Sequence, residues 1–223
     1  FDVKSVAGDK KLGGEDFTEK IFEYILSYLK NEMFLNVGSN CITMQRLREA
    51  AENAKISLSS QENVEINIPY VQTESNKIVN IETYITRGQY ERLIEGYVDR
   101  ILKLIHSAMK DSGCSSYEID RVVLVGGTTK TPLIRNGIMK IFGENKISPL
   151  KDSKPESAVI IGTTIMASVL SGHVGAEDIC VLDVIPKGIG IGLKDEKYDV
   201  LISKNTTIPT KVSKVFTTSE DDQ

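Results

Sequence analysis

Apolar and polar positions divide the 223-residue chain into helical and extended stretches. Phe17, Ile21, Tyr24, Ile25, Tyr28 and Leu29 recur at three- and four-residue spacing, which predicts a helix from Glu15 to about Met33. Glu15 and Asp16 open it, where carboxylates suit the positive end of a helix dipole. Gly8-Asp9 and Gly13-Gly14 ahead of it are turn signals, and residues 36–40 read as a loop. A second helix is predicted from about Thr43 to Leu58, rich in Ala, Glu, Arg and Lys. Residues 64–71 and 78–85 alternate with period two, and the polar turn over 72–77 joins them as a hairpin. A third helix over 89–111 carries Leu93, Tyr97, Ile101, Leu104 and Ile105. A strand at 121–125 precedes a helix over 131–141, and a helix opened by Pro155 runs to about Ser171. Residues 1–6 read as a strand already under way, so the chain is expected to be a piece of a longer one.

After Gly172 the texture changes. Asp178-Ile-Cys-Val-Leu-Asp-Val184 is short, apolar and flanked by acids. Residues 185–223 alternate with turns and read as strands without a helix. About 40 residues of β-structure are too few to bury a core alone, so they are expected to begin a second domain.

Composition narrows the classes. Forty per cent hydrophobic and 26% charged residues suit a globular protein. A net charge of −4 gives no basic footprint and argues against nucleic-acid binding. No apolar run approaches membrane-span length. Cys41, Cys114 and Cys180 are scattered and odd in number, which suits a reducing compartment rather than a zinc site or a disulfide framework.

Chemistry concentrates in Arg121-Val-Val-Leu-Val-Gly-Gly-Thr-Thr-Lys-Thr-Pro132. An apolar run ends in two glycines and then a proline that can open a helix. Glycine lets a ligand approach the backbone, and the helix start offers free N–H groups and a positive dipole end. A nucleotide is commonly held at such a turn, although buried strands also end in Gly-Gly for packing alone. Glu52, Lys55 and Ser59 share one helix face by their spacing of three and four, which without further context reads as a solvated charged face.

Four motifs occur in one order: Gly8-Asp-Lys-Lys-Leu-Gly-Gly-Glu-Asp-Phe17, Arg46-Leu-Arg-Glu-Ala-Ala-Glu-Asn-Ala-Lys-Ile-Ser-Leu-Ser-Ser60, Val123-Leu-Val-Gly-Gly-Thr-Thr-Lys-Thr-Pro132 and Asn205-Thr-Thr-Ile-Pro-Thr-Lys211. Over essentially the whole chain that order resembles the 70-kilodalton heat-shock chaperones of the DnaK type. The resemblance implies an α/β, actin-like ATPase fold, with this chain as its second lobe and a short all-β C-terminal segment. It implies a nucleotide-binding lobe over 1–177, its base formed by 1–13 and 96–175 and its upper subdomain by 14–95. Residues 178–184 would be the interdomain linker and 185–223 the start of the peptide-binding β-domain. Ile56, where the eukaryotic cytosolic branch usually has arginine, resembles the bacterial and mitochondrial branch. The expected location is the mitochondrial matrix or a mitochondrion-related organelle, with bacterial cytoplasm as the alternative.

By the same resemblance Glu52, Lys55, Ile56 and Ser59 would face adenosine from one side. Gly126, Gly127 and Thr128 would line the ribose and phosphates, and Lys130 and Glu156 would complete the site. Lys130 stands where the family usually has an arginine stacked on adenine, and lysine lacks that planar surface. Glu156 stands for a usual aspartate, Ser157 for a glutamate and Ile161 for a tyrosine. Weaker adenine binding than in typical members is expected. The early β-segment Ile185-Pro-Lys-Gly-Ile-Gly-Ile-Gly-Leu193 also departs from the usual pattern.

The implied cofactors are ATP and ADP, with Mg²⁺ held through first-lobe residues that would precede Phe1. No catalytic or metal-ligating residue is assigned to this chain, which alone is not expected to hydrolyse ATP. Asp9 and Glu15 are read as turn and cap residues, His106 as a packed surface histidine, His173 as a helix cap and Cys180 as a packing residue. The implied function is that of an ATP-dependent chaperone that binds and releases unfolded polypeptides. Its implied partners are client polypeptides, a J-domain co-chaperone and a nucleotide-exchange factor on 14–95, with no nucleic acid. The alternative is a degenerate, non-catalytic member acting as a binding or co-chaperone partner. A sugar kinase is disfavoured by the linker and Asn205-Thr-Thr-Ile-Pro209.

Overall fold

The computed structural model describes residues 1–38, 40–75, 77–148, 157–172, 179–193 and 197–218. They divide into two compact units, one of Lys10–Leu102 and Val122–Glu156, the other of Phe1–Asp9, Lys103–Arg121 and Ser157–Gln223.

The first of these holds a helical pair, a hairpin and two further helices. Helix α1 spans Gly14–Asn31 and α2 spans Cys41–Ser57. Each begins where a side chain satisfies an unpaired backbone donor. The Asp16 carboxylate accepts from the Gly13 N–H at 2.7 Å, and Asn40 Oδ1 accepts from Ile42 and Thr43 at 3.0 and 3.3 Å. Strands β1 (Asn63–Gln72) and β2 (Ile78–Thr86) form the antiparallel hairpin that the alternation predicts.

The hairpin register shifts between Ile68 and Val71. Pro69 has no N–H for the ladder, and Tyr70 takes a positive φ of 55°. The groups freed there are satisfied from outside the ladder. The Arg46 guanidinium donates to the Pro69 and Tyr70 carbonyls at 2.6 and 3.1 Å, and the Tyr70 N–H donates to Asn80 Oδ1 at 3.0 Å.

Helix α3 (Arg87–Ser112) follows the hairpin directly and continues past Leu102 into the other unit. The core of the hairpin-bearing unit collects Phe17, Ile21, Ile25 and Leu29 from α1, Leu47 and Ala51 from α2, and Ile66, Ile81 and Ile85 from the hairpin. From α3 it takes Tyr90, Ile94 and Val98. The predicted stripe began at Leu93 and Tyr97, one position away, and both of those residues are only half-buried. Tyr97 instead stacks on Phe17, centroids 5.8 Å apart, at the margin of the core. Leu93 and Tyr97 border the buried stripe rather than belong to it, a distinction that spacing alone does not make.

The strand expected over 121–125 is limited to β3 (Val122–Val123), paired in parallel with β4 (Ile147–Ser148). Gly126, at φ 87°, turns the chain away into a 3-10 turn over Gly127–Lys130, and Pro132 opens α4 (Pro132–Phe142). Gly137 lets α4 approach α3 closely, since a Cβ there would lie 3.0 Å from the Leu102 methyls.

The other unit carries α5 (Ala158–Leu170), β5 (Asp183–Val184), β6 (Ile189–Gly192), β7 (Tyr198–Ile202) and β8 (Thr207–Ile208). Pro155, expected to open α5, and His173 lie outside the described residues. After Gly172 the described residues hold strands and turns but no helix, with β5 paired to β8 and β6 to β7, both antiparallel. The strand expected over 1–6 is reduced to a parallel bridge between Asp2 and Leu182. Within this unit the Val6 N–H donates to Asn205 Oδ1 at 3.2 Å, and Lys204 pairs with Asp111 at 2.5 Å. Cys180, expected to pack, is exposed, and its carbonyl accepts from the Phe1 amino group at 2.6 Å. Among the described residues no helix is long and apolar enough to cross a membrane.

The one-position shift in α3 is testable by urea unfolding. Ile94 is fully buried, so Ile94→Ala is expected to cost about 2–5 kcal/mol. Leu93→Ala, at a half-buried site, is expected to cost about 1 kcal/mol or less. Equal losses would contradict the placement of the core face.

Candidate functional site

The glycine-bearing turn before α4 and the C-terminal end of α2 border a cavity of about 300 Å³ within the hairpin-bearing unit. Its walls are Glu52, Lys55, Ile56 and Ser59 on one side and Gly127, Thr128, Lys130 and Thr131 on the other. Seven of the nine site residues expected from the sequence therefore meet at one opening. Gly126 is not on the wall but sets the turn that is. Glu156 lies outside the described residues.

Local chemistry explains the arrangement. Gly126 adopts φ 87°, in the left-handed region that side-chain-bearing residues avoid. Its carbonyl then accepts from both the N–H and the hydroxyl of Thr129, at 3.2 and 2.6 Å, which holds the 3-10 turn closed. Gly127 has an ordinary φ and open space around it, so it offers exposed backbone rather than relief of strain.

Lys55 ties the opposite wall to α1. Its ammonium donates to the Gly14 carbonyl at 3.0 Å and to Thr18 Oγ1 at 2.7 Å. Glu52 Oε1 lies 3.8 Å away, and the lysine side chain is only 17% exposed against 54% for Glu52. Glu52 thus keeps acceptor oxygens in solvent. Ile56 is 60% exposed and gives the cavity an apolar surface.

Gly14 was legible in the sequence only as part of a turn signal, yet it belongs to the site's frame. A Cβ on it would sit 2.8 Å from Thr128 Oγ1 and 3.5 Å from Lys55 Nζ. Thr18 was not anticipated either, because its role arises from a contact with a residue 37 positions away. Glu15 lies in the first turn of α1, and the capping carboxylate is that of Asp16. His106 is exposed on α3.

Tyr90 packs behind the turn, 1% exposed, with its hydroxyl pushed up to about 12 by burial; the Thr131 side chain beside it partly opposes that rise. Among the described residues no group of three or more His, Cys, Asp or Glu side chains converges as a metal site. The wall offers an acceptor carboxylate, an ammonium, hydroxyls, exposed glycine backbone and an apolar side chain. That set can hold a neutral, hydrogen-bonding ring system with a polyol or anion attached.

Comparison with known proteins agrees with the motifs. The family model described as Hsp70 protein matches residues 1–223. The chain is 40% identical over all 223 residues to a protein named Chaperone protein DnaK from Buchnera aphidicola subsp. Schizaphis graminum (strain Sg). It spans 34% of that relative's length.

The two glycines are expected to behave differently. Gly126→Ala forces a Cβ into the left-handed region and should cost about 1–2 kcal/mol in urea unfolding. Gly127→Ala should change stability by less than about 0.5 kcal/mol, since a Cβ there meets nothing within 4 Å. Similar losses for both would mean that strain does not shape the turn.

Proposed function

The chain belongs to the Hsp70 family, and we propose that it supplies the adenosine side of the nucleotide site in an ATP-dependent chaperone. Its mixed helix and strand content fits the α/β ATPase-type fold of that family. The observation that carries the reading is the convergence of Glu52, Lys55, Ile56, Ser59, Gly127, Thr128 and Lys130 on one cavity. These residues are 68 positions or more apart across its two walls.

Each has a role suited to its chemistry. The Glu52 carboxylate accepts from ribose hydroxyls. Two N–H groups of Lys55 are used on Gly14 and Thr18, and the third donates to the ligand. Ser59 bonds a base nitrogen, Ile56 covers an apolar edge of the ring, and Lys130 sets its charge near the base. The turn set by Gly126 presents Gly127 and Thr128 to the ribose and phosphates. Magnesium would supply charge neutralisation at the phosphates and, by the family resemblance, would be held by residues outside this chain.

In the whole protein this lobe is one of two that clamp the nucleotide, and 178–184 relays that state to a peptide-binding domain beginning at 185. Unfolded polypeptides are the clients. A J-domain co-chaperone stimulates hydrolysis, and an exchange factor opens the cleft through 14–95. The 40% identity to a bacterial protein supports the branch that bacteria and mitochondria share. Mitochondrial residence is the part of this reading that cell fractionation tests.

The site is tested by calorimetric titration of ADP into the full-length protein. Lys130→Arg restores a planar, stacking cation and is expected to tighten ADP about two- to fivefold. Glu52→Ala is expected to weaken it about three- to tenfold through loss of the ribose acceptor. ADP binding that neither substitution alters would overturn the placement of adenosine here.

A further inference from the structure

Tyr90 presents an anomaly behind the cavity. A tyrosine buried in a core ordinarily brings its hydroxyl to a partner, and an unpaired buried hydroxyl is destabilising. Tyr90 is 1% exposed and its hydroxyl has no hydrogen-bond partner among the described residues. A phenylalanine would fill the same volume without that penalty. The polar side chain beside it is Thr131, short of hydrogen-bonding geometry.

Thr131 presents a matching anomaly. It is the N-cap residue of α4, a position where a threonine hydroxyl ordinarily accepts from the second or third helical N–H. Here it makes no such bond, although its carbonyl accepts from the Arg135 N–H at 3.1 Å. Thr131 is 4% exposed and forms part of the cavity wall. One hydroxyl is thus sealed in the core without a partner, and beside it another, at the cavity, makes no capping bond.

We propose that they form a relay into the site: the Tyr90 O–H donates to Thr131 Oγ1, and the Thr131 O–H donates to an acceptor atom of the bound adenine nucleoside. A hydroxyl has one proton and two lone pairs. When Tyr90 occupies a lone pair, the threonine proton is directed outward, and donation from Tyr90 polarises it. Thr131 is then a ligand-contacting, specificity-determining residue, and Tyr90 a positioning residue that acts only through it. The pair selects ligands that carry an acceptor at that point of the wall. Binding also relieves the unpaired tyrosine, so ligation stabilises the junction of α3 with the turn.

This inference rests on the nucleotide reading of the cavity, and its test separates the two. ADP is titrated into the full-length protein and into Tyr90→Phe, Thr131→Val, the double variant and Thr131→Ser. Each of the first two is expected to raise Kd about three- to tenfold. The double variant should be no weaker than Thr131→Val, because Tyr90 acts through Thr131. Thr131→Ser keeps the hydroxyl and should bind within about twofold of the parent. Without ligand, Tyr90→Phe should be at least as stable as the parent, which distinguishes a lost relay from a damaged fold. If the parent binds ADP and Tyr90→Phe and Thr131→Val bind it equally well, the relay is wrong and the site reading stands. Additive losses in the double variant also overturn it. If the parent binds no ADP, both readings fall.

Discussion

The cavity depends on one ammonium group. Lys55 projects from α2 to the first turn of α1, where it donates to a backbone carbonyl and a threonine hydroxyl. Hydrogen bonds to a charged group in a partly buried setting contribute about 1.5–3 kcal/mol each, whereas the exposed Glu52 partner adds at most about 1 kcal/mol. The ammonium fixes the separation of α1 and α2 at the end facing the Gly126 turn. Glycine at position 14 lets Thr128 approach, because a Cβ there would lie only 2.8 Å from Thr128 Oγ1. Three chain segments far apart in sequence are thereby held at one point, and the cavity is the space they leave.

The rest of the hairpin-bearing unit supports that point. The aliphatic stripes of α1, α2 and the hairpin bury one another, and α3 closes them with Tyr90, Ile94 and Val98. Tyr90 belongs both to this core and to the back of the site, so the packing that makes the unit stable also sets the position of the turn. Arg46, one α2 turn before Ala50, secures the hairpin bulge in the same way that Lys55 secures α1. A basic residue on α2 satisfies backbone carbonyls of its neighbour at each end. The charged face of α2 is therefore structural as well as chemical.

What could be read from the sequence follows the range of the interactions. Periodicity located α1, α2, the hairpin and α3 to within two or three residues, because each buries its own stripe. It misplaced the buried face of α3 by one position, since Leu93 and Ile94 are equally apolar and only the packed neighbours distinguish them. The strand ahead of Gly126 was read as five residues but pairs over two, because a ladder extends only as far as its partner. Glu52, Lys55, Ile56 and Ser59 were legible through their spacing and the family resemblance, as were the glycines of the turn. Gly14, Thr18, Tyr90 and Thr131 were not, for their roles come from contacts between segments and leave no local pattern.

The central claim is that adenosine lies between Ile56 and the Gly126–Thr131 turn. Methyl-resolved NMR of the full-length protein during addition of ADP tests it most directly. Ile56 is exposed at the cavity, and Ile42, also exposed, lies near the opposite end of the same helix. A purine ring beside Ile56 should move its methyl resonance by ring current and leave Ile42 unchanged. ADP binding that leaves Ile56 in place, or moves both methyls alike, would contradict the account.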